Sequence, residues 1–145
     1  MNPRVVVTSD FGLAQKIVVG KHELIADEPM PAGTDAGPSP YELLLSSLGA
    51  CKSMTIRLYA QRKGWDLRRV TIRLQHYRTH AEDCRDCGKA DLLDRIDCEI
   101  ELGGTLDDEQ RQRLFEISQH CPIHRTLTSR IDIGTVLAAA TPDQL

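Results

Sequence analysis

The chain has 145 residues, 41% of them hydrophobic, and a formal net charge of −3. That length suits a single globular domain over residues 1–145 with a sizeable core, and the lack of a basic excess leaves a nucleic-acid partner without an electrostatic footprint. No apolar run approaches the roughly 18 residues of a membrane helix and the start, MNPRVVVTSDFG, has no long apolar export signal, so the expectation is a cytoplasmic protein without a membrane partner whose five cysteines stay reduced.

In the first thirty residues RVVVT, QKIVVG and HELIADEP are short β-branched runs separated by Gly, Asp and Pro, which predicts a strand meander. MPAGTDAGPSP concentrates Gly and Pro and predicts a loop over residues 29–38. A helix start follows: Ser39 suits the N-cap, Pro40 the first helical position, and Glu42 stands three residues after the serine, as a capping box requires. The helix is expected to run to about Lys63, with Gly64 as its stop. Leu44, Leu48, Cys51, Thr55 and Leu58 recur within it at spacings of three and four and define the expected buried stripe.

Beyond the stop, RRVTIRLQHY alternates through Val70, Ile72 and Leu74, and LDRIDCEIEL through Ile96, Cys98, Ile100 and Leu102. The pattern predicts two antiparallel strands, with Cys98 packed in the core. TLDDEQRQRLFEISQHC opens with a helix-start signature, and Leu106, Leu114, Ile117 and Cys121 mark an apolar face that Pro122 closes, with Cys121 on the last turn. SRIDIGTVL alternates through Ile131 and Ile133 and predicts a final strand.

Two groups of residues carry potential chemistry. Cys51 and Cys121 lie on the inward faces of two predicted helices, either as a dithiol pair or as small buried hydrophobes, which is the commoner fate of a free cysteine. Between the long strands, QHYRTHAEDCRDC places His76, His80, Cys84 and Cys87 at an H-x3-H-x3-C-x2-C spacing. That set could form a tetrahedral zinc site, a redox Cys-x-x-Cys pair, or a polar loop with no chemical role.

Two stretches, GPSPYELLLSSLGACKSMTIRLYAQRKGW over residues 37–65 and LDDEQRQRLFEISQHCPIHRTL over residues 106–127, give the chain a resemblance to the OsmC/Ohr family of peroxide-detoxifying proteins. The resemblance implies an α+β fold in which two long central helices pack with antiparallel sheets in an intertwined homodimer. It further implies a thiol-dependent peroxide reductase acting on organic hydroperoxide or hydrogen peroxide. The cysteine matching Cys51 would be the peroxidatic thiol, and the one matching Cys121 would resolve it as a disulfide. No cofactor is required for that cycle, and zinc would enter only through the 76–87 cluster. A thiol reductant or carrier protein would restore the dithiol.

Members of the family activate the first cysteine with an arginine from an early loop and a glutamate leading into the first helix. Here the glutamate position falls on Tyr41 with Glu42 one place later, and the loop before the helix has no arginine. Arg125 and His124, just past Cys121, are the candidates for the missing positive charge. The alternative reading is a zinc-binding or redox-sensing protein of the same fold without peroxidase turnover.

Overall fold

The computed structural model describes residues 2–80 and 92–139. The chain begins with the expected meander: β1 (Val6–Thr8), β2 (Gln15–Val19) and β3 (His22–Ala26) form an antiparallel sheet in that order. Val19 pairs with His22 across the Gly20–Lys21 turn, and Gly20 takes the left-handed φ of 59° that such a tight hairpin demands.

The loop after β3 is organised by one carboxylate. Asp27, 2% exposed, accepts the backbone N–H groups of Glu28, Thr34 and Ala36 and the hydroxyl of Thr34, at 2.7 to 3.2 Å. The Thr34 hydroxyl first, then the Ala36 and Glu28 amides, hold its pKa down at about 2. The loop delivers the chain to α1 (Pro40–Lys63) through the capping box read from the sequence. Ser39 Oγ accepts from the Glu42 N–H, and the Glu42 carboxylate accepts from the Ser39 N–H. Gly64 ends the helix with φ 68°.

The strands β4 (Asp66–His80) and β5 (Leu92–Thr105) form a long antiparallel ribbon, with Ile72 opposite Ile100 and Leu74 opposite Cys98. Its outer face carries the cross-strand ion pairs of Arg73 with Glu99 and Glu101, whereas the pair of Arg78 with Asp94 stands on the α1 side, where Arg78 also donates to the Tyr41 hydroxyl. The inner face lies against α1. Ile56 and Ala60 of α1 and Leu114 of α2 (Asp108–Ser118) form the core, flanked by Trp65, Leu67, Val70, Ile100 and Leu102. A short helix, α3 (Pro122–Leu127), completes the described elements.

Four expectations are corrected. The buried row on α1 is Leu48, Lys52, Ile56 and Ala60, with Gly49 beside it, whereas Leu58 is 62% exposed. The helix turns about 100° per residue, so Leu58 points some 200° away from Ile56. The second helix ends at Ser118 and does not carry Cys121 on its last turn. A residue before proline is driven out of the α region, and Cys121 is extended at φ −66°, ψ 147°, as the N-cap of α3. Cys98 is exposed on β5 rather than packed in the core. Residues 129–139 form no strand, and Ile131, Ile133, Val136 and Leu137 are exposed. Alternation marks a strand only where a neighbour supplies a ladder, and neither sheet of the described residues offers one there.

Candidate functional site

The site lies where α1 meets the α2–α3 junction. Cys51, half-buried on α1, and Cys121, fully buried between α2 and α3, are both free thiols brought together from opposite halves of the chain. Burial pushes the Cys121 thiol up from its ordinary value, and the hydrogen-bonding contact and charge of Cys51 add to that rise. Two groups oppose it: the His124 N–H, which donates to Cys121 Sγ at 3.3 Å, and the ammonium of Lys52.

Lys52 is 2% exposed and occupies the middle of the buried row of α1. Its Nζ donates to the Ser118 carbonyl at 2.9 Å and contacts His124 Nδ1 at 2.8 Å. An ammonium donor at Nδ1 needs that nitrogen unprotonated, so the arrangement calls for neutral His124 with its proton on Nε2. Burial first, then the Lys52 and His120 charges, lower the His124 pKa in agreement with that form. Sequence reasoning missed Lys52. The signal was its place four residues from both Leu48 and Ile56, a cation inside an otherwise apolar row.

The remaining candidates are dispersed. The Arg125 side chain is exposed on α3. Glu42 is engaged in the helix cap, and its bonds with Ser39 hold its pKa below the usual carboxylate value. His76 stacks on Tyr41 with ring centroids 4.4 Å apart, and its Nε2 lies 2.9 Å from Asp94 Oδ1. Cys84, Cys87 and the side chain of His80 lie outside the described residues, and among the described residues no group of three or more His, Cys, Asp or Glu side chains could hold a metal ion. Cys98 borders a cavity of about 190 Å³ together with Leu48, Ile96, His124 and Leu127. Partial burial raises its thiol pKa, and Lys52 works against that rise.

The model of the family described as OsmC-like protein matches residues 33–136, a span that includes Cys51, Cys121 and the ribbon between them. The chain belongs to the OsmC-like family.

Solved structures agree on the fold of this OsmC-like protein. An OsmC-like protein from Mycoplasma pneumoniae is similar at 20% identity, with 88% of this chain and 87% of that one covered and a TM-score of 0.71. An organic hydroperoxide resistance protein from Legionella pneumophila is 15% identical over 89% of this chain and 92% of its own, with a TM-score of 0.63. The organic hydroperoxide resistance protein OhrB of Bacillus subtilis is 17% identical over 91% and 94%, with a TM-score of 0.61. No curated protein matches the sequence. Among the described residues no helix is long and apolar enough to cross a membrane.

Proposed function

We propose that this OsmC-like protein is a thiol-dependent hydroperoxide reductase with Cys51 as the attacking thiol and Cys121 as the resolving one. The observation that carries the reading is the contact between Cys51 and Cys121, seventy positions apart in sequence, with Cys51 half-buried and Cys121 sealed at 0% exposure. That asymmetry suits a division of labour. The more accessible thiol meets the peroxide: its sulfur attacks the O–O bond, an alcohol leaves, and a sulfenic acid remains on Cys51. The sealed thiol then displaces hydroxide from that sulfur, giving a Cys51–Cys121 disulfide and water. An external dithiol restores both thiols. The hydroperoxide resistance named for the Legionella and Bacillus proteins supports organic hydroperoxides as substrates.

The active form in this reading is a homodimer. The apolar side chains of Val6, Val7, Leu24 and Ile25 on the N-terminal sheet, of Val5 just before it and of Ile131, Ile133, Val136 and Leu137 near the other end are exposed in the single chain, as expected of surfaces that a second copy covers.

The test is stoichiometric oxidation of the reduced protein by cumene hydroperoxide and, in parallel, hydrogen peroxide, followed by peptide mapping. Rapid loss of two thiols into a Cys51–Cys121 disulfide, abolished by Cys51→Ser, supports the reading. Slow oxidation spread over all cysteines, or confined to Cys84 and Cys87, refutes it.

A further inference from the structure

Lys52 is a buried cation with no carboxylate partner among the described residues. Its two hydrogen-bond partners, the Ser118 carbonyl and His124 Nδ1, carry no formal negative charge, and it takes part in none of the ion pairs among the described residues. A desolvated ammonium is costly to keep unless something nearby becomes its counter-ion. The two partners bracket Cys121, one three residues before it and the other three residues after, so Nζ is anchored to both turns that carry that thiol. The same His124 that takes the lysine proton contact on its ring donates its backbone N–H to Cys121 Sγ.

From this geometry, and resting on the dithiol reading above, we propose that Lys52 is a positioning residue for the resolving step: it holds the counter-charge for the Cys121 thiolate as that sulfur closes the disulfide on Cys51. In the step, the S–O bond of the Cys51 sulfenic acid breaks and an S–S bond forms. The hydroxide leaves with the proton given up by Cys121, as water, and the oxidising equivalent is the one already supplied by the hydroperoxide. Because the attacking species is the thiolate, a neighbouring positive charge raises its population when burial alone would keep the proton in place.

The surrounding groups fit this role. From α3, His124 is held neutral, so that among the described residues the Lys52 ammonium is the positive charge acting on Cys121, and from the α2–α3 junction His120 acts on the His124 ring. From β5, Cys98 also feels Lys52, with Asp97 acting on it in the opposite sense. From α1, Cys51 opposes ionisation of Cys121 until oxidation removes its thiol.

Rapid mixing of reduced protein with cumene hydroperoxide, with a dimedone trap for sulfenic acid and mapping of the disulfide, separates the two steps. In Lys52→Met, Cys51 sulfenic acid accumulates and disulfide closure slows about ten-fold at neutral pH, the equivalent of one pH unit in the thiol's ionisation. Lys52→Arg restores much of the closure rate by restoring the charge. A second readout needs no peroxide: in a Cys51→Ser background, the pH midpoint of Cys121 alkylation by iodoacetamide rises by about one unit with Lys52→Met. Closure at the native rate in folded Lys52→Met overturns the proposal, as does an alkylation midpoint that stays in place. Equal slowing in Lys52→Arg and Lys52→Met, with that midpoint unmoved, reduces Lys52 to packing and also overturns it. If the native protein forms no Cys51 sulfenic acid at all, the peroxidase reading fails by itself, and the alkylation midpoint still decides for or against the charge of Lys52 acting on Cys121.

Discussion

Leu114→Ala tests how firmly its contact with α1 holds α2 in place beside the thiol pair. Leu114 is 0% exposed and meets Ile56 and Ala60 in the core, while Ser118 and Cys121, four and seven residues further on, are buried at the same helix–helix contact. Removing a fully buried leucine side chain costs about 3 kcal/mol, within the usual range of roughly 2 to 5 for such truncations. For a chain of 145 residues, with an unfolding entropy of about 2 cal/mol/K per residue, the melting temperature falls by about 10 °C. The assay is calorimetry or circular dichroism on the reduced protein at constant concentration, with a urea titration to verify that the m value is unchanged. Gln112→Ala, on the exposed face of the same helix, should stay within about 0.5 kcal/mol of the native protein. A loss below about 1 kcal/mol for Leu114→Ala, with m unchanged, would refute the claim that this contact holds α2 in place.

Ser39→Ala removes the acceptor for the Glu42 N–H and should cost about 1 kcal/mol, measured as a lowered denaturation midpoint. Gly37→Ala would place a Cβ 2.1 Å from the Ile25 carbonyl oxygen, a backbone atom with little room to yield, so a loss of about 1 to 3 kcal/mol is expected in the same assay. Asp27 ionises near pH 2 in the folded chain against an ordinary 3.8, so its stabilising contribution is present above about pH 4 and disappears as the pH falls toward 2. Asp27→Asn should therefore lower stability at neutral pH and flatten the acid limb of a stability–pH curve. The folded His124 resists protonation relative to its ordinary 6.5, so its contribution is present above that pH and lost below it. His124→Gln should make the decline in melting temperature between about pH 6.5 and 5 shallower; an unchanged slope would show that His124 takes up its proton as readily in the folded state as in the unfolded one.

What the sequence made legible was local chemistry. Ser39, Pro40, Glu42 and Gly64 mark the ends of α1 because caps depend on a few neighbouring residues. The alternation through Val70, Ile72 and Leu74 marks β4 because one face of the ribbon is covered and the other is wet. The misreadings arose where tertiary surroundings override the local pattern. Leu58 fits a three-four repeat as well as Ile56 does, and only the placement of β4 and α2 decides which face is covered. Cys98 has strand periodicity yet remains exposed beside a cavity. Residues 129–139 alternate without a neighbouring strand among the described residues. The pairing of Cys51 with Cys121 came from family resemblance rather than periodicity. Lys52 was passed over because a charged side chain is ordinarily read as solvent-facing, whereas here a carbonyl and an imidazole supply the hydrogen bonds it would otherwise take from water.

The carboxylate of Asp27 gives the segment between β3 and α1 an unexpected mechanical character. A stretch rich in Gly and Pro would ordinarily act as a slack tether, but hydrogen bonds from three backbone amides and a hydroxyl converge on one side chain, and Gly33 and Gly37 leave no room beyond their missing Cβ atoms. The segment therefore works as a joint that transmits orientation. A torque applied to the N-terminal sheet, by a second copy or by any other body gripping it, passes into the first turn of α1 rather than dissipating in the connection. An extra residue inserted between Glu28 and Ala36 would tilt the helix that bears Cys51, although it lies more than a dozen positions from that thiol.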